Sequence, residues 1–133
     1  MVKHHYKKSL QQFFKDGAEC FKTTRLTQVS LLVSILFLVL TFALPIWRLV
    51  PLASELPFIA LHYNIYLGVD QFGSLYSIFL LPVLGLFFLV LNVVIEVASF
   101  RKQKILSMFF AGANPLLQVL LLVAVSLIIL VNV

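Results

Sequence analysis

Charge is scarce in this chain. Of its 133 residues 11% are charged and 62% are hydrophobic, with only five acids against ten bases. Water-soluble domains run nearer a quarter charged and half apolar. The deficit therefore excludes an ordinary soluble domain and points to a bilayer as the main solvent for the side chains. The net charge of +5 does not imply nucleic acid, because of where the bases sit. Lys3, Lys7, Lys8, Lys15, Lys22 and Arg25 precede the first long apolar run, and Arg101, Lys102 and Lys104 form one short cluster. Basic segments of this kind stay cytoplasmic and orient a membrane protein. No nucleic-acid partner is expected.

Cysteine is almost absent. Cys20 alone cannot make an internal disulfide, and no metal-binding cysteine spacing exists. Its basic neighbours put it on the reducing side of a membrane, where a structural or spectator thiol is expected. Catalytic motifs are also missing. There is no phosphate-cradling glycine loop, nucleophile elbow, paired-histidine metal motif or carboxylate pair. No metal and no cofactor is expected, since His62 with Asp70 and Asn64 is too thin a ligand set. There is no internal repeat and no low-complexity tract.

What is present is a set of long apolar runs. Residues 1–28 form a basic arm in which Leu10, Phe13, Phe14, Ala18 and Phe21 share one helical face. Such a helix lies in the membrane interface, with Lys7, Lys8, Lys15 and Lys22 meeting anionic headgroups; a disordered basic tail is the alternative. Gly17 weakens the helix locally. Residues 29–47 are almost wholly apolar and cover about one bilayer core at ~1.5 Å per residue. They read as an uncleaved first span, because the basic region before them is too long for a signal peptide and the apolar run exceeds the usual 7–15 residues. Trp47 is an interfacial anchor. Residues 75–99 are the second span, residues 100–104 a cytoplasmic loop, and residues 105–130 the third span. Residues 131–133 read as a short tail. Glu96 is expected at the inner interface, paired with Arg101 or Lys102. Pro115 should kink the third span at Ala111. Ser30, Ser34, Asn92, Asn114 and Gln118 are expected to face a bundle interior or an oligomer contact, because lipid offers them no partner. The fold class is an all-α integral membrane protein of three transmembrane helices, with an amphipathic arm and one ordered extracytoplasmic loop.

That loop, residues 48–74, holds the remaining polar groups. Pro45, Pro51 and Pro57 prevent continuous helix around it. Leu61, Tyr63, Ile65 and Leu67 alternate with His62, Asn64 and Tyr66, so an extended strand would carry His62, Asn64 and Tyr66 on one face. Residues 68–73 read as a turn, and Ser74 as an N-cap. The candidate binding residues are His62, Asn64, Tyr66 and Asp70. They are equally readable as turn-formers that tie the loop down.

The run Leu-Pro…His62-Tyr63-Asn64…Gly68…Asp70…Phe72-Gly73-Ser74, followed by a helix carrying Leu81-Pro82, resembles a bacterial membrane domain of unknown function. That domain is found at the N-terminus of immunity membrane proteins of the sporulation-delaying-protein type. Its pattern is Leu-Pro, His-Phe-Asn, a glycine, then Asp-x-aromatic-Gly-Ser. The resemblance covers about residues 41–90. Gly68 sits one residue later than in the pattern, Pro57 is one place off, and Ala60 stands where the pattern has proline. The longer C-terminal membrane domain of the immunity proteins has no counterpart in these residues. The resemblance implies a bacterial inner-membrane location and this loop architecture more than an activity.

These features lead to one expectation and two alternatives. The expectation is a small non-enzymatic membrane protein, N-terminus cytoplasmic and C-terminus outside, whose external loop recognises a peptide, a partner protein or a lipid headgroup. One alternative is a transporter or ion-pathway subunit using Asn92, Glu96, Asn114 and Gln118. The other is a membrane enzyme with His62 as base. A membrane-protein partner or a homo-oligomer is open in each case.

Overall fold

The computed structural model of the protein describes residues 2–52, 54, 58–66 and 68–133, with side chains from residue 11 onward except those of Tyr63 and Asn64. Four helices and one hairpin make up the described chain. Helix α1 (Val2–Thr23) is followed, across the extended residue Thr24, by α2 (Arg25–Arg48). A 3-10 turn (Val50–Leu52) leads to β1 (Ile59–Asn64) and β2 (Gly68–Gly73), which pair antiparallel. A second 3-10 segment (Leu75–Phe79) enters α3 (Leu80–Ser99), and α4 (Lys104–Asn132) completes the fold. Three helical stretches, Arg25–Leu52, Leu75–Ser99 and Lys104–Asn132, are long and apolar enough to cross a membrane. They support a multi-pass membrane protein.

Helix α4 packs against both α2 and α3, which touch each other less. The bundle is apolar outside, and its interior gathers polar side chains beside apolar ones. Leu32, Leu36 and Val39 of α2, Phe87 and Val90 of α3, and Leu116 and Leu120 of α4 are exposed, whereas Ser30, Ser34, Asn92, Asn114 and Gln118 are buried. In water this arrangement would leave a large unpartnered apolar surface. In lipid it lets the polar groups find one another.

Several sequence expectations need correction. The fold is not all-α, because the segment between the first two apolar helices forms a two-stranded sheet. Residues 68–73 are its second strand rather than a turn. The turn residues are instead Ile65 and Tyr66, after β1, and β2 opens at Gly68, whose φ of +75° is accessible to glycine at little cost. Helix α2 begins at Arg25, inside the stretch read as arm, because hydropathy marks where apolar residues begin and not where backbone hydrogen bonding does. It also runs through Pro45 to Arg48. Pro45 offers no N–H to the Thr41 carbonyl, but helical geometry carries on past it, and its own carbonyl accepts the Leu49 N–H at 2.9 Å. Pro51 lies within the 3-10 turn, and Pro57 lies outside the described residues.

Helix α1 docks on the bundle by the face that carries Gly17 and Cys20, with Phe13 and Phe21 half-buried. Gly17 and Cys20 are buried, while Phe14 is 71% exposed. Small residues let the helix approach α3 closely, with Gly17 against Val97. Arg101, at the end of α3, ties α1 down through Asp16 at 2.7 Å and Glu19 at 2.9 Å. Lys15 and Lys22 are exposed; the Lys7 and Lys8 side chains lie outside the described ones.

Candidate functional site

The hairpin is built from residues that suit extended backbone, but its register is irregular. Ala60 pairs with Phe72, His62 with Gln71 and Tyr63 with Val69. The ladder therefore skips Leu61 on β1 and Asp70 on β2. Bulged residues break strict alternation and re-aim side chains. Ile59 and Ala60, which pair before the irregularity, are both buried, and past it His62 meets Asp70 across the sheet. Leu61 turns back over Gly73, where a Cβ would collide with its side chain. The irregularity is why simple period two misses this arrangement.

His62 Nδ1 lies 2.7 Å from Asp70 Oδ1. The carboxylate accepts the Nδ1 proton, which leaves Nε2 as the second polar atom of the ring. The His62 side chain is 59% exposed and that of Asp70 33%. Tyr66, at 91%, and Ile65, at 82%, stand at the hairpin tip. Asn64 pairs with Gly68 at the end of the ladder; its side chain lies outside the described ones. Ser74 does precede a helical segment, but its hydroxyl makes no cap bond and instead meets Ser77 Oγ at 3.1 Å.

Sequence reasoning missed the residue that holds the hairpin down. Asn132, read as part of a short tail, ends α4 and grips the backbone of β1. Its Oδ1 accepts the Ala60 N–H at 2.8 Å, and its Nδ2 donates to the Ala60 carbonyl at 2.8 Å. A carboxamide thus pairs with β1 as a neighbouring strand would. The same Nδ2 reaches Ile128 O at 2.7 Å, which keeps the side chain on its own helix. Beneath it, Leu49, Ile59, Leu75, Ile78, Val125 and Ile129 form a continuous apolar core. A lone asparagine closing a long apolar run was the available signal.

The second cluster lies inside the bundle and toward α1. Asn92 Nδ2 donates to Asn114 Oδ1 at 3.1 Å, and Gln118 Nε2 donates to Gly85 O at 2.8 Å. The Ser30 hydroxyl donates to Ala111 O. That carbonyl lies four residues before Pro115, which has no N–H to offer it, so Ser30 of α2 supplies the missing donor. Ser34 Oγ and Gln118 Oε1 have no hydrogen-bond partner among the described residues.

Glu96 departs most from expectation. It is 2% exposed and, among the described residues, forms no ion pair. Arg101 serves Asp16 and Glu19 instead. The α3 helix turns Glu96 inward, where Thr27 Oγ1 donates to Oε1 at 2.6 Å and Cys20 Sγ lies 4.0 Å away. Burial pushes the Cys20 thiol above its ordinary range, with Thr27 acting against the shift. Trp47 is exposed, with the Arg48 guanidinium over its ring at 5.1 Å.

Among the described residues, no group of three or more His, Cys, Asp and Glu side chains is placed to hold a metal ion. No family model, no curated protein and no solved structure matches the chain.

Proposed function

We propose that this chain is a small, non-enzymatic membrane protein of three spans whose hairpin recognises a ligand at the outer membrane face. The N-terminus and the α3–α4 loop are cytoplasmic, since nine of the ten bases lie within residues 1–28 and 100–104. The candidate ligands are a peptide, a partner protein or a lipid headgroup. The observation that carries this reading is the contrast between the hairpin and the remaining polar groups. The bundle polar residues are buried, and Ser30, Asn92, Asn114 and Gln118 bond to other helices, whereas His62, Asp70 and Tyr66 are displayed on a hairpin clamped by Asn132. Exposed polar groups on a rigid mount are the usual substrate of recognition. The likeness to immunity membrane proteins points the same way.

Replacing His62 and Asn64 by alanine should leave membrane abundance unchanged while reducing capture of co-purifying partners. Equal loss of abundance would reduce the hairpin to a structural element. Sidedness is tested with an impermeant thiol reagent on intact cells lacking Cys20. A cysteine placed after Val133 should react, and Lys15→Cys should not; the reverse pattern sinks the orientation.

A second reading, an ion-pathway subunit, has one observation in its favour. Glu96 sits inside the bundle rather than at its surface, and intramembrane acids are usually functional. A transport defect confined to Glu96→Gln, with the His62/Asn64 variant unaffected, would move the assignment to that reading.

A further inference from the structure

Between β1 and α4 runs a groove of about 400 Å³. Leu61 and His62 line it from the hairpin, and Ala124, Leu127, Ile128 and Val131 from the last turns of the helix. Its volume falls within the ~300–1,000 Å³ of ligand sites, which are mostly apolar with a few polar groups at one side. Among the described lining residues the one polar side chain is the His62 imidazole, backed by Asp70 at 2.7 Å.

We infer that this groove holds one acyl chain of a membrane lipid, with the polar end of that lipid at His62 and Asp70. The inference rests on the membrane reading above and names the ligand class for the hairpin site. Three observations select a lipid chain over a peptide. First, the α4 residues described on the groove, Ala124, Leu127, Ile128 and Val131, are all aliphatic and offer no side-chain hydrogen bond to a backbone. Second, the β1 backbone at Ala60, where a peptide strand would add, is already taken by Asn132. Third, the groove continues the exposed apolar surface of α4 that Leu116, Leu120 and Leu127 form, and that surface faces hydrocarbon in the proposed arrangement. A chain lying along α4 enters the groove sideways from the bilayer without crossing water. The hairpin then roofs the chain, and His62 marks the level where apolar lining gives way to polar groups.

The test uses the full-length protein in liposomes of phosphatidylglycerol and phosphatidylethanolamine containing a mixture of phospholipids with a diazirine near the head or near the methyl end of one acyl chain, so that both the outer end and the middle of α4 are within reach of the probe. After photolysis, adducts are mapped by mass spectrometry. Leu61 and Ile128 are only partly exposed, so random contact labels them weakly; a resident chain should label them at least as strongly as open Leu116 and Leu120. Ala124→Phe, which fills the groove, should remove the Leu61 and Ile128 adducts and spare those on Leu116 and Leu120. Should that variant not fold, Leu127→Trp narrows the same groove from its exposed rim. Labelling of Leu116 and Leu120 with Leu61 and Ile128 silent would overturn the acyl-chain assignment while leaving the membrane reading intact. So would displacement of the Leu61 adduct by a saturating extended peptide captured with the hairpin. Silence at all four positions would overturn the membrane reading and this inference with it.

Discussion

At the hairpin end of the bundle Leu49, Ile59, Leu75, Ile78, Val125 and Ile129 are buried together, and at the α1 end Cys20, Thr27, Glu96 and Ser107 are buried beside the Gly17–Val97 contact. The first set is held by non-directional packing, worth roughly 1.5–3 kcal/mol for each large side chain removed from water. It fixes distance but not register, and register there comes from two hydrogen bonds of Asn132. The second set is held by directional contacts among hydroxyl, thiol and carboxyl, sealed by exposed ion pairs of Arg101 that contribute about 0–1 kcal/mol each. One end is therefore tight with a single specific latch. The other is specific throughout but lightly fastened.

The sharpest way to break the contrast is Asn132→Leu. It leaves the Ala60 N–H and carbonyl without partners, at about 1–3 kcal/mol for each unsatisfied group. Hydrogen exchange in the hairpin should accelerate while amides of α1 keep their protection. Uniform loss across both ends would show that the latch is not local.

Gly85→Ala probes the middle of the bundle. The new Cβ would lie 3.0 Å from Gln118 Oε1, 3.1 Å from Leu121 Cδ1 and 3.2 Å from Leu38 Cδ1. Overpacking of this kind costs about 1–3 kcal/mol, to be read from denaturation in detergent micelles. Ser30→Ala removes the donor to the carbonyl that Pro115 orphans. Interhelical bonds of this type contribute about 0.6–2 kcal/mol, and Ser30→Thr should recover most of that loss. If Pro115→Ala, which restores a backbone donor, does not lessen the cost of Ser30→Ala, the compensation does not exist.

At the α1 end the expected changes are smaller. Gly17→Ala places a Cβ at an ordinary 3.6 Å from Val97 Cγ1 and should stabilise α1 by about 0.4–1 kcal/mol. Cys20 supplies the smallest effect on stability. Burial raises its thiol, so above the unfolded value of about 8.5 the folded state holds more protons than the unfolded. Stability should therefore fall slightly as pH rises through that region and not below it, and Cys20→Ala should abolish the slope. Thiol labelling should be slow in the folded protein and faster in Arg101→Ala, which releases Asp16 and Glu19 of α1.

The contrast between the two ends was only partly legible in the chain. The polar positions Ser30, Ser34, Asn92, Asn114 and Gln118 are readable because a polar group on a long apolar helix has few places to go. Their pairing is not, since Asn92 meeting Asn114 and Ser30 meeting Ala111 O depend on how α2, α3 and α4 cross. Glu96 misleads because five residues of spacing to Arg101 suggest an ion pair, while the rotation of α3 turns the carboxyl toward Thr27. The hairpin misleads in a different way. Its period-two stretch signals β1, but Gly68, Asp70 and Gly73 resemble turn residues until pairing with β1 is seen.

By itself the sequence determined the number of long apolar helices, the basic character of the arm and the α3–α4 loop, and the extended β1 segment. Each of these depends on residues near one another along the chain, through hydropathy, charge and side-chain period. Only the tertiary structure decided that Asn132 latches Ala60, that His62 finds Asp70 through paired bulges, and that Glu96 turns away from Arg101 toward Thr27. Those outcomes join positions 72, 8 and 69 residues apart. They follow from helix rotation and strand register, which are settled by mutual packing of whole elements and leave no local trace in composition.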